Sequence, residues 1–517
     1  MTEVACGMVF EARWPRSGAD RSGEVSTLPP LRFIAPSGRE HEVTPFWAGG
    51  DSWKVRFAPD EIGTWRYEID GRAESFLVQT YSGENPVYRR GALVLAADRL
   101  RLATADGQPF FWLADTAWNG VLRAAAADWD RYLEARREQG FNVIQFVVTP
   151  WRGLERDEAG ETAFVDGPPF RVNPSFFERL DAKVAAINAH GLYAATVMLW
   201  GLMPSDPGYR LSDTDGLALA RYIQARYGAY QGVWFLGGDA NYRKIGLDKW
   251  KHWGRELFGA RHERSAKLVT LHPCGISWPA TDFANEGWYD FIGYQSGHGD
   301  SEEHLRWLVG GPPALAGLEA RKRPILNLEP NYEGFISYHS KRKLTDYEVR
   351  RAGWWSCLLA PTAGISYGCN EIWNWGVQSE AIVGHAECGK VAPWHTMLDA
   401  PGSRCMILLR QFFERLPWWR LRPAPQMLMR QPGLEHPDAH VAVALADNGR
   451  VAVAYLPKGG SLLLRTDGLN RPSVASWFDP SEGRTFSAGV VSGSEYTLEA
   501  PDKRDWVWLA AGQGPGG

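Results

Sequence analysis

Short apolar segments alternate with helical segments over most of this chain, and this alternation restricts the fold more than any other feature of the sequence. Repeated strand–helix units are typical of parallel sheets covered by helices. Eight such units over roughly 300 residues are what a (β/α)8 TIM barrel requires. The predicted strands are residues 110–115, 143–149, 192–200, 233–239, 267–272, 291–296, 325–329 and 364–368.

The helical segments between these strands carry start and stop signals. Asn173 is a favoured N-cap residue, Pro174 follows it at the first helical position, and Gly191 is predicted to end that helix. Thr345 and Glu348 have the spacing of a capping box. These signals confine helices between predicted strands and therefore support the barrel interpretation.

Alternating apolar and polar side chains predict β-strands on both sides of the barrel. In the N-terminal part a break at residues 61–63 predicts a hairpin, and in the C-terminal part Asp-Asn-Gly at residues 447–449 predicts another. We expect a (β/α)8 TIM barrel flanked by two β-sandwich domains. The predicted domains are an immunoglobulin-like β-sandwich in residues 1–88, the catalytic barrel in 91–415, a second β-sandwich in 420–511 and a flexible tail in 512–517.

Charge and composition argue against several functional classes. The formal net charge is −4 and no long basic run is present, so no nucleic-acid partner is predicted. No apolar run approaches the roughly 18 residues of a membrane span, and the N-terminus lacks signal-peptide features. We therefore expect a cytoplasmic protein without a membrane partner, or a secreted or periplasmic one if a leader has been removed. The histidines lack metal-ligand spacing, and no glycine-rich phosphate-binding motif occurs in a strand–helix context, so neither a metal nor a cofactor is predicted. The sequence leaves an oligomer open.

Two of the predicted strands end in a carboxylate. In the stretch GVWFLGGDANY, Gly237 and Gly238 are expected to let the chain turn tightly beneath a ligand, and Asp239 follows them. In ILNLEPNYEG, Glu329 ends the seventh strand because Pro330 cannot continue it. Reactive groups of such barrels lie at the C-terminal strand ends. Because the fourth and seventh strands are nearly opposite, both carboxylates are expected to face one cavity.

Two facing carboxyl groups are what cleavage of a glycosidic bond needs. One donates a proton to the leaving oxygen, and the other attacks the anomeric carbon or activates water. Separations of roughly 5–5.5 Å favour retention and about 6.5–9.5 Å favour inversion. The sequence therefore predicts a glycoside hydrolase that acts on a terminal sugar. A non-catalytic carbohydrate-binding protein, or a lyase or transglycosidase using the same pocket, is the alternative interpretation.

Other strand ends carry polar and aromatic side chains suited to a sugar, because aromatic faces stack on the C–H faces of sugars. Asp115 is interpreted equally well as a helix cap, and the tryptophans after the eighth strand equally well as a lid on the barrel core. The predicted substrate-binding residues are Asp115, Trp118, Gln145, Trp151, Asn241, His272, Gln295, His298, Tyr332, Asn370, Trp373 and Trp375.

Several segments, in order, resemble the apiosidase-like glycoside hydrolases: PFFWLADTAWNG, YLEARREQGFNVIQ, VWFLGGDAN, NLEPNYEG and SYGCNEIWNW. The resemblance implies a (β/α)8 barrel with β-sandwich domains and the release of a branched furanose, apiose. It also implies Asp239 as acid/base and Glu329 as nucleophile, with retention of configuration. This chain differs in lacking a visible secretion signal, which favours a small imported glycoside over pectin outside the cell.

Overall fold

The computed structural model describes residues 2–15, 28–152, 154–165, 167–259, 267–318, 323–381, 385 and 389–512. The N-terminal strands are β1 (Thr2–Ala5), β2 (Phe10–Pro15), β3 (Leu31–Ile34), β4 (Glu40–Val43), β5 (Phe46–Gly49), β6 (Ser52–Phe57), β7 (Gly63–Ile69) and β8 (Arg72–Gln79). They form a sheet in the order β1-β8-β7-β3-β4 and a second in the order β2-β6-β5. Phe10 and Phe76, one from each sheet, stack with ring centroids 3.9 Å apart, so aromatic side chains fill the space between the sheets.

The hairpin predicted around residues 61–63 is wrong. Strand β6 pairs with β2 and β5, whereas β7 pairs with β8 and β3 in the other sheet. The chain therefore crosses between the two sheets at this point. Strand β6 also turns Arg56 towards the barrel, where an Nη atom lies 2.6 Å from the Asp181 carboxylate. Because β6 is buried on both faces, its pairing could not be inferred from one alternating pattern.

The central part of the chain alternates strands and helices. Its strands are β9 (Leu93–Leu95), β10 (Leu102–Thr104), β11 (Pro109–Phe110), β12 (Trp112–Thr116), β13 (Val143–Val147), β14 (Phe164–Val165), β15 (Arg171–Val172), β16 (Tyr193–Trp200), β17 (Gly232–Gly238), β18 (Val269–Thr270), β19 (Ile292–Gln295), β20 (Ile325–Glu329), β21 (Gly364–Tyr367), β22 (Glu380–Ala381) and β23 (Lys390–Val391). Its helices are α1 (Pro86–Arg90), α2 (Gly120–Arg123), α3 (Ala126–Gln139), α4 (Pro174–Ala189), α5 (Pro207–Arg210), α6 (Asp213–Tyr227), α7 (Tyr242–Ile245), α8 (Leu247–Phe258), α9 (Glu302–Gly310), α10 (Pro312–Leu318), α11 (Asp346–Leu358), α12 (Asn370–Asn374) and α13 (Pro401–Glu414).

Strands β12, β13 and β16 to β21 correspond to the eight predicted barrel strands. Six of them form one parallel sheet in the order β18-β17-β16-β13-β12-β21, and β19 pairs in parallel with β20. This arrangement is a (β/α) barrel with additional β domains. Within the described ranges, no ladder joins β18 to β19 or β20 to β21, so a fully closed ring stays a prediction.

The predicted helix signals are confirmed by the backbone geometry. Helix α4 begins at Pro174, and the Asn173 side chain accepts hydrogen bonds from the first-turn amides. It ends at Ala189, two residues before Gly191, whose φ of 80° is left-handed. Thr345 caps helix α11. No helix within the described ranges is both long enough and apolar enough to cross a membrane.

The C-terminal part returns to β-structure. Its strands are β24 (Leu421–Pro423), β25 (Ala442–Ala446), β26 (Val451–Leu456), β27 (Ser461–Arg465), β28 (Ser473–Phe478), β29 (Thr485–Val491), β30 (Glu495–Glu499) and β31 (Trp506–Gly512). Six strands form a sheet in the order β24-β25-β26-β31-β28-β29, and β27 pairs with β30. The antiparallel pairing of β25 with β26 confirms the hairpin predicted at residues 447–449. Gly512 ends β31, and the rest of the predicted tail, residues 513–517, lies outside the described residues.

Candidate active site

A cavity of about 440 Å³ opens at the C-terminal ends of the barrel strands. Asp239 directly follows β17, Glu329 is the last residue of β20, and both line the cavity. A volume of this size suits a small-molecule site. The predicted site residues that line it are Trp118, Trp151, Asp239, Gln295, His298, Glu329, Tyr332 and Trp373.

The glycine pair before Asp239 serves packing, which corrects the expected turn. Gly237 and Gly238 are part of the extended strand β17. A Cβ atom on Gly238 would lie 2.4 Å from Trp200 Cε3, and one on Gly237 would lie 2.8 Å from Trp250 Cζ3. The left-handed residue is Asp239 itself, with a φ of 49°, a conformation that Asp adopts more readily than most residues. The chain therefore turns at the carboxylate-bearing residue.

The side chains of Gln295, His298 and His272 contact the Glu329 carboxylate. Gln295 Nε2 donates to Oε1 at 2.6 Å, and His298 Nε2 lies 3.0 Å from the same oxygen. His272 Nε2 lies 3.3 Å from Oε2 in a less well aligned contact. Burial by itself would raise the pKa of this carboxyl group, but the contacts with His272 and His298 outweigh burial and lower the pKa of Glu329 to about 2. Glu329 is therefore ionised at neutral pH, as a nucleophile must be.

Backbone amides determine which ring nitrogen of each histidine carries the proton. The Tyr332 N–H donates to His298 Nδ1 at 3.3 Å, and the Asp239 N–H donates to His272 Nδ1 at 3.4 Å. A ring nitrogen that accepts a hydrogen bond leaves the proton on the other nitrogen. Nε2 of both histidines is therefore the donor that faces Glu329, and His272 also connects it to the backbone of Asp239.

Asp239 has the opposite electrostatic environment. Burial among protein atoms raises its pKa well above the ordinary value, the negative charge of Glu329 raises it further, and Arg152 partly offsets both effects. Asp239 nevertheless keeps partial exposure at the cavity surface. Two carboxyl groups whose pKa values are displaced in opposite directions divide the roles of acid and anion between them.

Asp115 and Trp375 are two predicted substrate-binding residues that the structure places outside the cavity. The completely buried Asp115 carboxylate accepts from the Tyr132 hydroxyl at 2.7 Å and from Arg136 Nε at 2.5 Å. Trp375 is fully buried and stacks on Trp394, with ring centroids 4.5 Å apart. Both residues have protein partners, which corrects their predicted contact with a sugar.

Three further predicted residues also lie away from the cavity. Gln145 is buried inside the barrel and donates to the Leu328 carbonyl at 3.0 Å. Asn241 caps helix α7, where its side chain accepts from the Lys244 N–H. Asn370 is buried and accepts from the indole of Trp373. His272 does not line the cavity but contacts the cavity residues Glu329, Asp239 and Trp118, so its predicted contact with substrate becomes an indirect one.

Arg152 and His385 line the cavity but were not among the predicted site residues. Arg152 Nη2 lies 2.7 Å from His385 Nδ1, and the Arg152 carbonyl lies 3.1 Å from His385 Nε2. Arg152 directly follows Trp151 and is one of the polar side chains that the strand ends offer. His385 lies beyond the eighth strand in a stretch without periodic pattern, and no signal in the sequence points to it.

Metal ligation by the cavity histidines is not supported by their surroundings. His272 and His298 both face Glu329, and the buried Asp115 carboxylate is paired with Arg136. In the part of the chain that the structure describes, no three or more His, Cys, Asp or Glu side chains are grouped so that they could hold a metal ion.

An ionised carboxylate and a carboxyl group of raised pKa, facing one cavity of a (β/α) barrel, are the elements of a glycoside hydrolase. Residues 96–420 match the family described as apiosidase-like, catalytic domain. Because this match covers more than half of the chain, the chain belongs to the apiosidase-like family, and it is a glycosidase.

The flanking parts match other domain families. Residues 30–72 match a domain family of unknown function, DUF5060. Residues 423–510 match a family named for collagen binding in a collagenase. None of the curated proteins compared with the chain matches it.

Solved structures share the fold at low sequence identity. A glycoside hydrolase is 22% identical with a TM-score of 0.73 and covers 84% of this chain and 100% of its own. A glycoside hydrolase family 5 protein from Bacteroides vulgatus ATCC 8482 is 20% identical with a TM-score of 0.72, covering 83% and 95%. A second protein from that organism, described as a candidate glycoside hydrolase, is 16% identical with a TM-score of 0.74, covering 99% and 100%. These likenesses establish the fold.

Proposed function

We propose that the protein hydrolyses a glycosidic bond with retention of configuration through Asp239 and Glu329. Glu329 Oε2 forms a bond to the anomeric carbon while the bond to the leaving oxygen breaks and that oxygen takes the Asp239 proton. Asp239 then removes a proton from water, whose oxygen bonds to the anomeric carbon as the ester to Glu329 breaks. The observation that carries the proposal is the single cavity shared by these two carboxyl groups.

The choice of attacking oxygen follows from the hydrogen bonds. Oε1 of Glu329 accepts from Gln295 and contacts His298, whereas Oε2 has no well-aligned hydrogen bond within the described residues. The oxygen with the weaker hydrogen bonding is the better nucleophile, because less hydrogen bonding is lost from it than from Oε1 when it bonds to the anomeric carbon; at Oε2 the His272 contact is poorly aligned. Oε2 is thus the oxygen we assign to the covalent intermediate.

The proposed substrate is a terminal sugar, cleaved in the exo mode, and a furanose such as apiose is the first candidate. A cavity of about 440 Å³ is the size of a small-molecule site and suits one or a few sugar units rather than a long polysaccharide segment. The apiosidase-like family name supports the choice of sugar. The same proposal includes a closed (β/α)8 barrel in residues 91–415 between β-sandwich domains in residues 1–88 and 420–511.

The test replaces each carboxyl group separately. Asp239→Asn and Glu329→Gln are expected to lose at least about 10²–10⁴-fold in kcat on a responsive glycoside. The matched control is Glu333→Gln, because Glu333 is also a buried carboxyl group but bonds the Tyr367 hydroxyl and the Gly402 amide outside the cavity. Near-normal turnover by either cavity variant would reject the assignment.

Two further measurements separate retention from its alternatives. The first sugar released by the wild type should have the anomeric configuration of the substrate, as followed by NMR before mutarotation. With a 4-nitrophenyl glycoside, Asp239→Asn should accumulate a glycosyl-enzyme on Glu329, because formation of the intermediate then needs little acid while its hydrolysis still needs the base. Inverted product with no adduct would contradict retention. Product masses showing elimination or transfer would instead indicate a lyase or a transglycosidase.

A further inference from the structure

The cavity has a closed inner end and an exposed, apolar rim. Trp118 and Tyr332 at the inner end are 2% and 1% exposed, whereas Ile276 and Tyr338 are 42% and 40% exposed. All four line the same cavity, and the half-buried Leu202 lines it with them. Leu202, Ile276 and Tyr338 are called the apolar rim below. Large apolar side chains exposed together at a cavity opening indicate a contact with something bound there.

The rim lies beside the residue assigned as general acid. Leu202 follows β16, which pairs with β17 and so brings it next to Asp239. On the other side, the Cys274 N–H donates to the Ala240 carbonyl at 3.2 Å, and the chain continues from there to Ile276. A general acid must reach the oxygen of the leaving group. The leaving group therefore projects outward past Asp239, between Leu202 and Ile276.

The backbone holds Ile276 in this position at a cost in free energy. Its φ is 54°, and a β-branched residue in the left-handed region is a genuine outlier. Strain of this kind persists where the surrounding structure enforces it, most often at functional sites. The enforcing contact is the hydrogen bond from the Ile276 N–H to the Gln295 carbonyl, at 3.0 Å.

Tyr338 belongs to the same part of the rim. A Cβ atom on Gly297 would lie 3.6 Å from Gly275 Cα and 3.7 Å from Tyr338 Cε2. The Tyr338 ring and the backbone leading to Ile276 therefore pack on one residue, Gly297. An aromatic ring and a branched aliphatic side chain are thus presented side by side at the opening.

We propose that the apolar rim is the leaving-group subsite and that the natural substrates are glycosides of aromatic or apolar aglycones. This inference rests on the proposed function. Leu202 and Ile276 offer no side-chain hydrogen bond to the hydroxyl groups of a second sugar, whereas an aryl group would bury apolar surface against them and stack on Tyr338. A polysaccharide leaving group would gain little from such a rim.

The experiment measures the aglycone preference of wild type and variants. A panel of 4-nitrophenyl glycosides identifies a cleaved sugar, and kcat/KM is then measured for its 4-nitrophenyl and methyl glycosides. Ile276→Asn keeps a residue that tolerates the left-handed backbone but places an amide at the rim. We expect it to lower the ratio of kcat/KM for the 4-nitrophenyl glycoside to kcat/KM for the methyl glycoside about tenfold. The two glycosides differ in intrinsic reactivity, but this difference is the same for every enzyme and cancels when the ratios of variant and wild type are compared. Arg99→Gly, which removes a left-handed residue (φ 58°) outside the cavity, should leave the ratio unchanged.

Further measurements distinguish an effect of these variants on folding from an effect on substrate preference. Ile276→Gly relieves the strained backbone, so it should melt at a higher temperature than the wild type and yet lose the aryl preference. An equal loss on both glycosides in both variants would overturn the leaving-group assignment while leaving the hydrolase intact. A wild-type kcat/KM higher for a disaccharide than for the aryl glycoside would overturn the aglycone class. If the wild type cleaved no glycoside at all, the proposed function itself would fail.

Discussion

His298 is predicted to keep Glu329 ionised in acid, and His298→Phe tests this directly. The variant keeps a ring that can pack on Tyr332 and Phe335, whose centroids lie 4.3 and 4.2 Å away, but it removes the donor 3.0 Å from Glu329 Oε1. A hydrogen bond to a charged group contributes about 1.5–3 kcal/mol, which at 1.36 kcal/mol per pKa unit is about one to two units. The pKa of Glu329, about 2 in the wild type, should therefore rise by that amount.

The sign of the effect follows from the role of Glu329. A nucleophile acts in its ionised form, so activity is present above its pKa and is lost as the pH falls through that value. The acidic limb of kcat/KM, which reports the free enzyme, should therefore move to higher pH in His298→Phe. The same depressed pKa contributes folding stability above the unfolded value of about 4.3, and this contribution should shrink in the variant.

The assay is the pH dependence of initial kcat/KM from pH 2 to pH 8, together with checks that each enzyme stays folded over the measurement. The matched control is Phe335→Leu, which disturbs the packing around His298 but leaves its Nε2 donor in place, so its acidic limb should not move. If His298→Phe lost kcat with an unchanged acidic limb, His298 would be a packing residue and the electrostatic reasoning would be refuted.

Three other predictions concern residues in and around the site. Gly238→Ala places a methyl group 2.4 Å from Trp200, and we expect it to lower the free energy of unfolding by about 1–3 kcal/mol, as measured by urea denaturation. A stability equal to wild type would show that Trp200 can move aside. Trp375→Ala should cost about 3–5 kcal/mol of stability because a buried ring is lost, while KM stays unchanged. Trp373→Ala should raise KM because the Trp373 ring lines the cavity. If Trp375→Ala also raised KM, the prediction from the sequence that Trp375 contacts the sugar would be supported after all.

Local sequence signals predicted the elements of this protein with considerable accuracy. All eight barrel strands lie where apolar segments placed them, because a strand that is buried on both faces must be apolar throughout. The caps at Asn173 and Thr345 were predictable because they satisfy amides only two or three residues away. The position of Asp239 and Glu329 at strand ends follows from the same local pattern, and parallel strands bring such ends to one face.

The tertiary structure alone decided which strand-end groups face the cavity. Asp115 and Trp375 fit the same sequence pattern as the cavity residues. Their side chains nevertheless point into the protein interior, where they contact Arg136 and Trp394. The pair Gly237–Gly238 looked like a turn, yet the reason for glycine there is the space taken by tryptophans from other segments. Side-chain direction and packing depend on residues far away in the chain, and no periodicity in one segment carries that information.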